Sequence, residues 1–263
     1  MDLKNIKKIS IFKKLIFFSF CGLLGFSSIL NIFLKKDQIK DKLILATGYT
    51  NPNSLGGGKP SDKEWAKKIM YGGYILHFRH AERDKWIDVQ MYDSLESDVH
   101  KNGLNESRYA EKDYFKNAVC LNKRGLIQAR AMGEHLKNIN FPIGYVVSSP
   151  SCRSRQTADI AFGGYSKMER LLVHTGPYLE NMKVRNKNLS DFYLSLPIEK
   201  GKNTIVSSHN GVLRHGILHN VKKGKLTLEE GGFYVLSKKN GKLYLKHEFH
   251  NFNTFISMFY ERN

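Results

Sequence analysis

The stretch GYILHFRH, residues 73–80, combines a short apolar run with an arginine and a histidine at its end. An apolar run of this length that begins at a glycine is typical of a buried β-strand. The strand would bring the guanidinium of Arg79 and the imidazole of His80 to the carboxyl edge of a sheet. Because that edge is where open α/β sheets bind their ligands, the pair marks a candidate site. His77, on the same strand, is predicted to be packed or partnered in the core.

Strand and helix patterns alternate along the chain on both sides of this stretch. Ser61 and Glu64 form a capping box, S-x-x-E, which predicts a short helix to about Met70. Further helices are predicted over residues 121–136, 153–162, 189–196 and 212–219, strands over residues 143–148 and 203–208, and a hairpin over residues 233–236 and 243–249. The alternation predicts an α/β fold, a three-layer sandwich in which a largely parallel central sheet has helices on both faces.

Residues 15–34 form an uncharged apolar run of 20 residues near the N-terminus. About 20 apolar residues span a bilayer as a helix, and the five lysines before the run outnumber Lys35 and Lys36 after it. The positive-inside rule then predicts a single-pass transmembrane anchor in the inner (cytoplasmic) membrane, with the following chain in the periplasm or exterior. A cleaved signal peptide, which would release the protein to the periplasm, is the alternative. The predicted organisation is a basic cytoplasmic segment (residues 1–14), the anchor or signal (residues 15–34), a linker (residues 35–60) and one folded domain (residues 61–263).

The composition favours a folded, basic protein. The 263 residues are 41% hydrophobic, which is enough for a sizeable core, and the formal net charge is +18. Because the lysines and arginines are spread singly along the chain, the excess charge predicts either an ordinary solvated surface or a field that attracts anionic substrates and anionic membranes. Nucleic acid is not predicted as a partner, since the sequence contains no zinc-finger, RNP or helix-turn-helix pattern.

Three predicted strand-to-helix junctions carry groups that can bind phosphate. The first holds Arg79 and His80, the second holds Arg153 after a Ser-Ser-Pro-Ser-Cys run, and the third holds His209 and Asn210. In a parallel sheet these junctions share one edge, so residues distant in sequence can converge there. Two arginines and two histidines around a dianion make charge-assisted hydrogen bonds. The set therefore predicts phosphoryl chemistry, with no metal ion and no cofactor, because the cationic groups do the electrostatic work.

These motifs resemble those of the histidine phosphatase superfamily, the phosphoglycerate-mutase-like proteins. The matching pieces are RHAE (residues 79–82), LNKRG with QA (residues 121–125 and 128–129), SSP with an arginine and QTA (residues 148–150, 153 and 156–158) and SHN (residues 208–210). Residues 72–76 and the Cys152-Arg153 pair resemble the exported bacterial members. A weaker likeness, to the lipopolysaccharide core heptose-phosphate phosphatases, rests on residues 79–83 and 241–249.

The resemblance implies a mechanism and a role for each residue. His80 would attack phosphorus and form a phosphohistidine that water hydrolyses. Arg79, Arg153 and His209 would hold the phosphoryl oxygens and stabilise the charge of the transition state. By its position, 27 residues after Arg153, Glu180 would be the general acid that protonates the leaving group.

Two further residues complete the predicted site. Glu82 is the rival to Glu180 as the general acid and otherwise a substrate-binding residue. Asn210, next to His209, is also predicted to bind substrate.

The predicted activity is the hydrolysis of a small-molecule phosphomonoester outside the cytoplasm, with an envelope sugar phosphate as one candidate. A phosphomutase of the same fold is the alternative within the enzyme class. A catalytically silent phospho-ligand-binding protein at the membrane is the alternative outside it. The intact set of Arg79, His80, Arg153 and His209 argues against the silent protein.

Four remaining features carry expectations of their own. Residues 83–120 are polar and irregular, and are predicted to be an insertion over the site. Cys120 and Cys152 both precede helices at the predicted site edge, and a disulfide between them is expected outside the cytoplasm, with two free thiols as the alternative. Arg155 is predicted to lie on the surface of its helix, and residues 229–230 to form a solvated turn.

Overall fold

A mixed sheet of six strands lies at the centre of the part of the chain that the computed structural model describes, residues 60–84, 119–173, 180–221 and 226–260. The strands are β1 (Ile75–Arg79), β2 (Ile143–Ser148), β3 (Lys167–Met168), β4 (Asn203–Ser208), β5 (Phe233–Lys239) and β6 (Lys242–Phe249). They lie in the order β3-β2-β4-β1-β5-β6. β1 to β4 run parallel, whereas β5 is antiparallel to both β1 and β6.

The prediction of a largely parallel sheet is therefore correct for β1 to β4 only. β5 and β6 are joined through Asn240 and Gly241, which both have positive φ. A connection of only two residues can join antiparallel strands but not parallel ones, because a parallel pair needs a crossover of a dozen residues or more. The predicted hairpin is therefore confirmed, and its consequence for the sheet is that the edge beyond β1 is antiparallel.

Helices flank this sheet on both faces. They are α1 (Pro60–Ile69), α2 (Lys123–Asn138), α3 (Cys152–Phe162), α4 (Met182–Ser195) and α5 (Phe252–Tyr260), with 3₁₀ turns at Arg170–Leu172 and Val212–His215. α4 begins earlier than predicted because the side chain of Asn181 accepts a hydrogen bond from the Val184 N–H and caps it. The helix predicted over residues 212–219 is wrong, since the turn there ends at Gly216 in the left-handed conformation.

Two apolar layers separate the helices from the sheet. Leu76 and Phe78 pack into the layer that contains the buried faces of α1, α2, α3 and α5. Ile75 packs into the opposite layer, together with Leu189 and Tyr193 of α4. Because successive residues of a strand face opposite sides of a sheet, this partition follows from the apolar run of β1. The prediction of helices on both faces is confirmed.

Several predicted segments lie outside the described residues. These are the membrane segment (residues 15–34), the basic segment before it, the linker to residue 59, and residues 85–118 of the predicted insertion. Among the helices that the structure does describe, none is both long and apolar enough to cross a bilayer.

Candidate active site

His80 lies at the carboxyl edge of the sheet, one residue after β1, and is buried. Its Nδ1 is 2.7 Å from the carbonyl oxygen of Ala81, which can only accept, so Nδ1 carries the hydrogen. The guanidinium of Arg153 donates from Nε to His80 Nε2 at 3.1 Å. An arginine can only donate, so Nε2 presents a lone pair. His80 is thus held as the neutral tautomer whose Nε2 can act as a nucleophile.

The surroundings of His80 keep it neutral. Burial, and then the positive charges of Arg153 and Arg79, hold the pKa of this imidazole well below its ordinary value. Both causes act on the charged form, which loses its hydration and is repelled by the guanidinium groups. The imidazole therefore retains its lone pair over the whole neutral range of pH.

Arg153 lies between His80 and a second histidine, His209. It projects from the first turn of α3 and is fully buried. Its Nη2 donates to Nδ1 of His209 at 3.3 Å, and the two imidazole rings meet edge to face with centroids 5.3 Å apart. Since Nδ1 accepts, Nε2 of His209 carries the hydrogen and donates to the hydroxyl of Ser149 at 3.1 Å. Three junctions thus converge as the sequence predicts.

Arg79 approaches the same edge from the end of β1, but its guanidinium is paired. Its Nη2 lies 2.6 Å from a carboxylate oxygen of Glu230, and its Nη1 donates to the carbonyl of Leu228. The side chain of Glu230 is only 13% exposed. The prediction that residues 229–230 form a solvated turn is therefore wrong for Glu230.

The loop after His80 is fastened to α2. The Glu82 N–H donates to the side-chain oxygen of Gln128 at 2.9 Å, and the Glu82 carboxylate accepts from Asn122 and pairs with Arg124. Gly125 lies so close that a Cβ atom there would be 1.9 Å from the Glu82 carbonyl oxygen. Glycine is needed in this first turn of α2 because any side chain would push the loop that carries His80 out of place.

Glu180 is exposed and lies just before α4. Its carboxylate accepts from the side-chain amide of Asn188, at 3.1 Å for the nearer oxygen. This hydrogen bond holds the Glu180 side chain against α4. Among the described residues, Glu180 makes no hydrogen bond or ion pair with His80 or Arg153. Glu82 is the predicted acid that lies on the same loop as His80.

The side-chain oxygen of Asn210 accepts two hydrogen bonds. That oxygen accepts from the Leu228 N–H at 2.8 Å and from the Tyr234 hydroxyl at 3.4 Å. The amide NH₂ group is then the part of Asn210 that can donate to a substrate. Its role in substrate binding stays a prediction.

Further residues hold the groups of the candidate site in place, and sequence reasoning missed most of them. The hydroxyl of Thr157 accepts from the Ala81 N–H at 3.0 Å and donates to the Arg153 carbonyl at 2.8 Å. The QTA motif was the signal for this link. His77 is a partnered core residue as predicted, with its Nε2 3.0 Å from the carbonyl of His209.

Arg155 is buried, so its prediction as a surface residue is wrong. Only 5% of it is exposed, and its Nε donates to the carbonyl of Pro150 at 2.8 Å. It ties α3 to the turn that precedes it. The buried guanidinium therefore stabilises the junction that delivers Arg153.

The predicted disulfide is present, between Cys120 and Cys152. It joins the end of the predicted insertion to the first residue of α3, beside Arg153. The carbonyl of Val119 also accepts from Nη1 of Arg153 at 3.4 Å. The disulfide thus fixes a backbone segment that contacts the central arginine of the site.

Comparison with known proteins agrees with the motifs. The model of the histidine phosphatase superfamily (branch 1) matches residues 103–184, which include Arg153. Over this part of the sequence, the chain is similar to the histidine phosphatase superfamily. No curated protein matches the chain.

The solved structures to which the chain is similar include the following three. The product of open reading frame Rv3214 of Mycobacterium tuberculosis is 15% identical, with 66% of this chain and 96% of that chain covered and a TM-score of 0.44. The protein histidine phosphatase SixA, complexed with tungstate, is 14% identical, with 66% and 95% covered and a TM-score of 0.41. The phosphoserine phosphatase of Entamoeba histolytica, in complex with 3-phosphoglyceric acid, is 14% identical, with 69% and 98% covered and a TM-score of 0.45.

Proposed function

We propose that this protein is a phosphomonoester hydrolase in which His80 is the nucleophile. The observation that carries the proposal is the position of His80 Nε2, a buried lone pair held 3.1 Å from Arg153 Nε. A neutral imidazole whose lone pair faces a buried guanidinium is suited to attack a bound phosphoryl group, because the positive charge attracts the anion and keeps the nucleophile unprotonated.

The reaction has two steps. In the first, His80 Nε2 forms a bond to phosphorus while the bond to the ester oxygen breaks, and that oxygen takes a proton from a carboxylic acid and leaves as the alcohol. In the second, water attacks phosphorus and gives a proton to the carboxylate formed in the first step, while the bond between Nε2 and phosphorus breaks and inorganic phosphate and neutral His80 are released. Arg153, Arg79 and His209 donate to the phosphoryl oxygens, whose charge is stabilised throughout by these preorganised groups.

Glu180 and Glu82 are the two candidates for the proton donor. We retain Glu180 as the first candidate because its position in the sequence matches that of the acid in the family that the motifs resemble. Glu82 is the rival because it lies on the same loop as His80. Their Gln variants are compared on an alkyl phosphate and on p-nitrophenyl phosphate. Loss of the acid slows the alkyl ester most, because an alkoxide needs the proton and a nitrophenolate does not. The variant with this selective defect identifies the acid.

We propose further that the substrate is a small phosphomonoester outside the cytoplasm, with an envelope sugar phosphate as the first candidate. Its support is the sequence alone: the apolar run over residues 15–34 with its basic flank, and the likeness to exported members. Protease treatment of intact and of permeabilised cells tests the orientation. A folded domain that is protected until the inner membrane is opened would contradict it.

The direct test of the mechanism is covalent phosphate on the protein. Wild type, His80→Ala and the control His219→Ala, whose histidine is exposed, are mixed with p-nitrophenyl phosphate and quenched. We expect acid-labile, base-stable phosphate on wild type and on the control. His80→Ala should carry none and should turn over at least about 1000-fold more slowly, because the nucleophile is absent.

Two results would contradict the proposal. One is turnover by His80→Ala at a rate near wild type, and the other is hydrolysis by wild type without trapped phosphohistidine in single-turnover conditions. Transfer of the phosphoryl group to an added alcohol in place of water would instead support the phosphomutase alternative.

A further inference from the structure

The turn over residues 226–232 lies against the carboxyl end of β1. The Arg79 N–H donates to the carbonyl of Gly232 at 2.9 Å, and the Gly231 N–H lies 3.2 Å from the carbonyl oxygens of both Arg79 and His80. The Arg79 side chain contacts the same turn through Leu228 and Glu230. This turn therefore touches both the backbone and the guanidinium of the first phosphate-binding residue.

The 226–232 turn is itself held in place on two sides. The side-chain amide of Gln128 donates to the Glu230 carbonyl at 2.9 Å, and the Leu228 N–H donates to Asn210 at 2.8 Å. At Gly232 a Cβ atom would be 2.2 Å from the His250 carbonyl oxygen, so the chain packs there without room for a side chain. The carboxylate of Glu230 is thus presented from a fixed backbone.

From this geometry we propose that Glu230 is a positioning residue, which fixes the guanidinium of Arg79 so that it can receive the phosphoryl group. The proposal rests on the proposed function and deepens it. An arginine side chain has four rotatable bonds, and its planar fork recognises phosphate well only when the plane is fixed. The Leu228 carbonyl accepts from one terminal nitrogen of Arg79 and the Glu230 carboxylate from the other, so the plane of the guanidinium is held at two points.

The opposite possibility is that Glu230 competes with the phosphoryl group for Arg79. The positioning role and the competing role predict opposite changes in phosphate affinity when the carboxylate is removed. A positioning residue, once lost, leaves Arg79 with alternative rotamers and weakens phosphate binding. A competing carboxylate, once lost, would free the guanidinium and strengthen it.

The test measures the binding of inorganic phosphate to the full chain by isothermal titration calorimetry. Wild type is compared with Glu230→Gln, Glu230→Ala and the control Glu229→Gln. Glu229 lies in the same turn but binds Asn251, at 3.2 Å. We expect phosphate affinity to fall about tenfold in Glu230→Ala, less in Glu230→Gln, and not in the control, since one charge-assisted contact is misaligned.

Steady-state kinetics and a double-mutant cycle separate positioning from a general structural role. Because Arg79 binds the substrate before reaction, Glu230→Gln should raise KM more than it lowers kcat. In an Arg79→Ala background, Glu230→Gln should have no further effect on phosphate affinity, because Glu230 acts through Arg79. Glu230→Gln keeps the size and the acceptor oxygen of the side chain, so the test stands if the Ala variant does not fold.

The possible outcomes distinguish a failure of this inference from a failure of the proposed function. Equal or tighter phosphate binding in the Glu230 variants, or an undiminished effect without Arg79, would overturn the inference and leave the proposed function intact. Failure of wild type to bind phosphate would overturn both.

Discussion

His77 is a buried residue whose two ring nitrogens both form hydrogen bonds to neighbouring groups. Its Nε2 must donate to the carbonyl of His209, which only accepts, so its Nδ1 accepts from the hydroxyl of Tyr193 at 2.6 Å. The ring also stacks on Tyr234, with centroids 6.0 Å apart. Burial lowers the pKa of His77 to about 4. The residue therefore stays neutral and holds the backbone of His209 in place.

The depressed pKa values of His77 and His80 predict that stability falls in mild acid. Between pH 6.5 and the folded pKa of His77, about 4, the unfolded chain binds protons that the folded protein does not. Stability is then full above pH 6.5 and is lost as pH falls. His77 alone should cost about 1.5 kcal/mol between pH 6.5 and pH 5, where most carboxylates remain ionised.

Urea unfolding at pH 7.5, 6.5 and 5 checks this dependence. His80→Asn, which removes one of the two depressed groups, should show a shallower decline, and the exposed His219→Ala should match wild type. A free energy of unfolding that does not change between pH 6.5 and pH 5 would show that these imidazoles are not desolvated as described.

At the scale of elements, α3 is the helix on which the site depends most. The N-cap residue Ser151, which precedes the helix, makes no side-chain capping hydrogen bond, so this end is held by other means. The disulfide of Cys152 ties it to Cys120, and Arg155 ties it to the preceding turn. Since Arg153 lies in the first turn, whatever fixes this helix end also fixes the central cation of the site.

Reduction of the disulfide should destabilise the protein without removing any catalytic group. The two cysteines are 32 residues apart, and the chain-entropy model gives about 4 kcal/mol for a loop of that length. Urea unfolding with and without a phosphine reductant measures the change in the free energy of unfolding. Cys120→Ser should mimic reduction.

The third cysteine supplies the control for this experiment. Cys21→Ser should retain both the stability of wild type and its response to reductant. Alkylation of Cys120 and Cys152 in the unreduced protein would contradict the bridge.

At the scale of the whole molecule, an aromatic cluster joins the elements that carry the site. Phe78 of β1 is fully buried and lies 4.4 Å from Phe233 of β5 and 4.8 Å from Phe162 of α3, centroid to centroid. These contacts connect β1, which ends in Arg79, with α3, whose first turn carries Arg153. The apolar layer thus sets the distance between the junctions.

Phe78→Ala should therefore lower the free energy of unfolding by about 3–5 kcal/mol, as expected for a large side chain lost from a packed core. Tyr71→Ala is the matched control, because Tyr71 is an aromatic residue that is 81% exposed. Its effect should lie within about 0.5 kcal/mol. Urea unfolding of both variants measures the difference, and similar costs for the two would mean that the aromatic cluster contributes little.

Local patterns predicted the parts of the fold whose signal is periodic. β2 and β4 lie where their apolar runs predicted, and the convergence of His80, Arg153 and His209 follows from their places next to parallel strands. α5 was missed, although Phe252, Phe255 and Ile256 have helical spacing and are buried. The pattern was present, but a short aromatic run suits a strand as well as a helix.

The amino-acid sequence by itself determined the strands, the junctions and the chemical types that meet there, because these depend on periodicity and on neighbours along the chain. Only the tertiary structure decided how those groups are paired. Arg79 and Glu230 are 151 residues apart, Arg155 is buried where its helix pattern predicted exposure, and Glu180 binds α4. Such pairings depend on which surfaces pack together, and no local pattern carries that information.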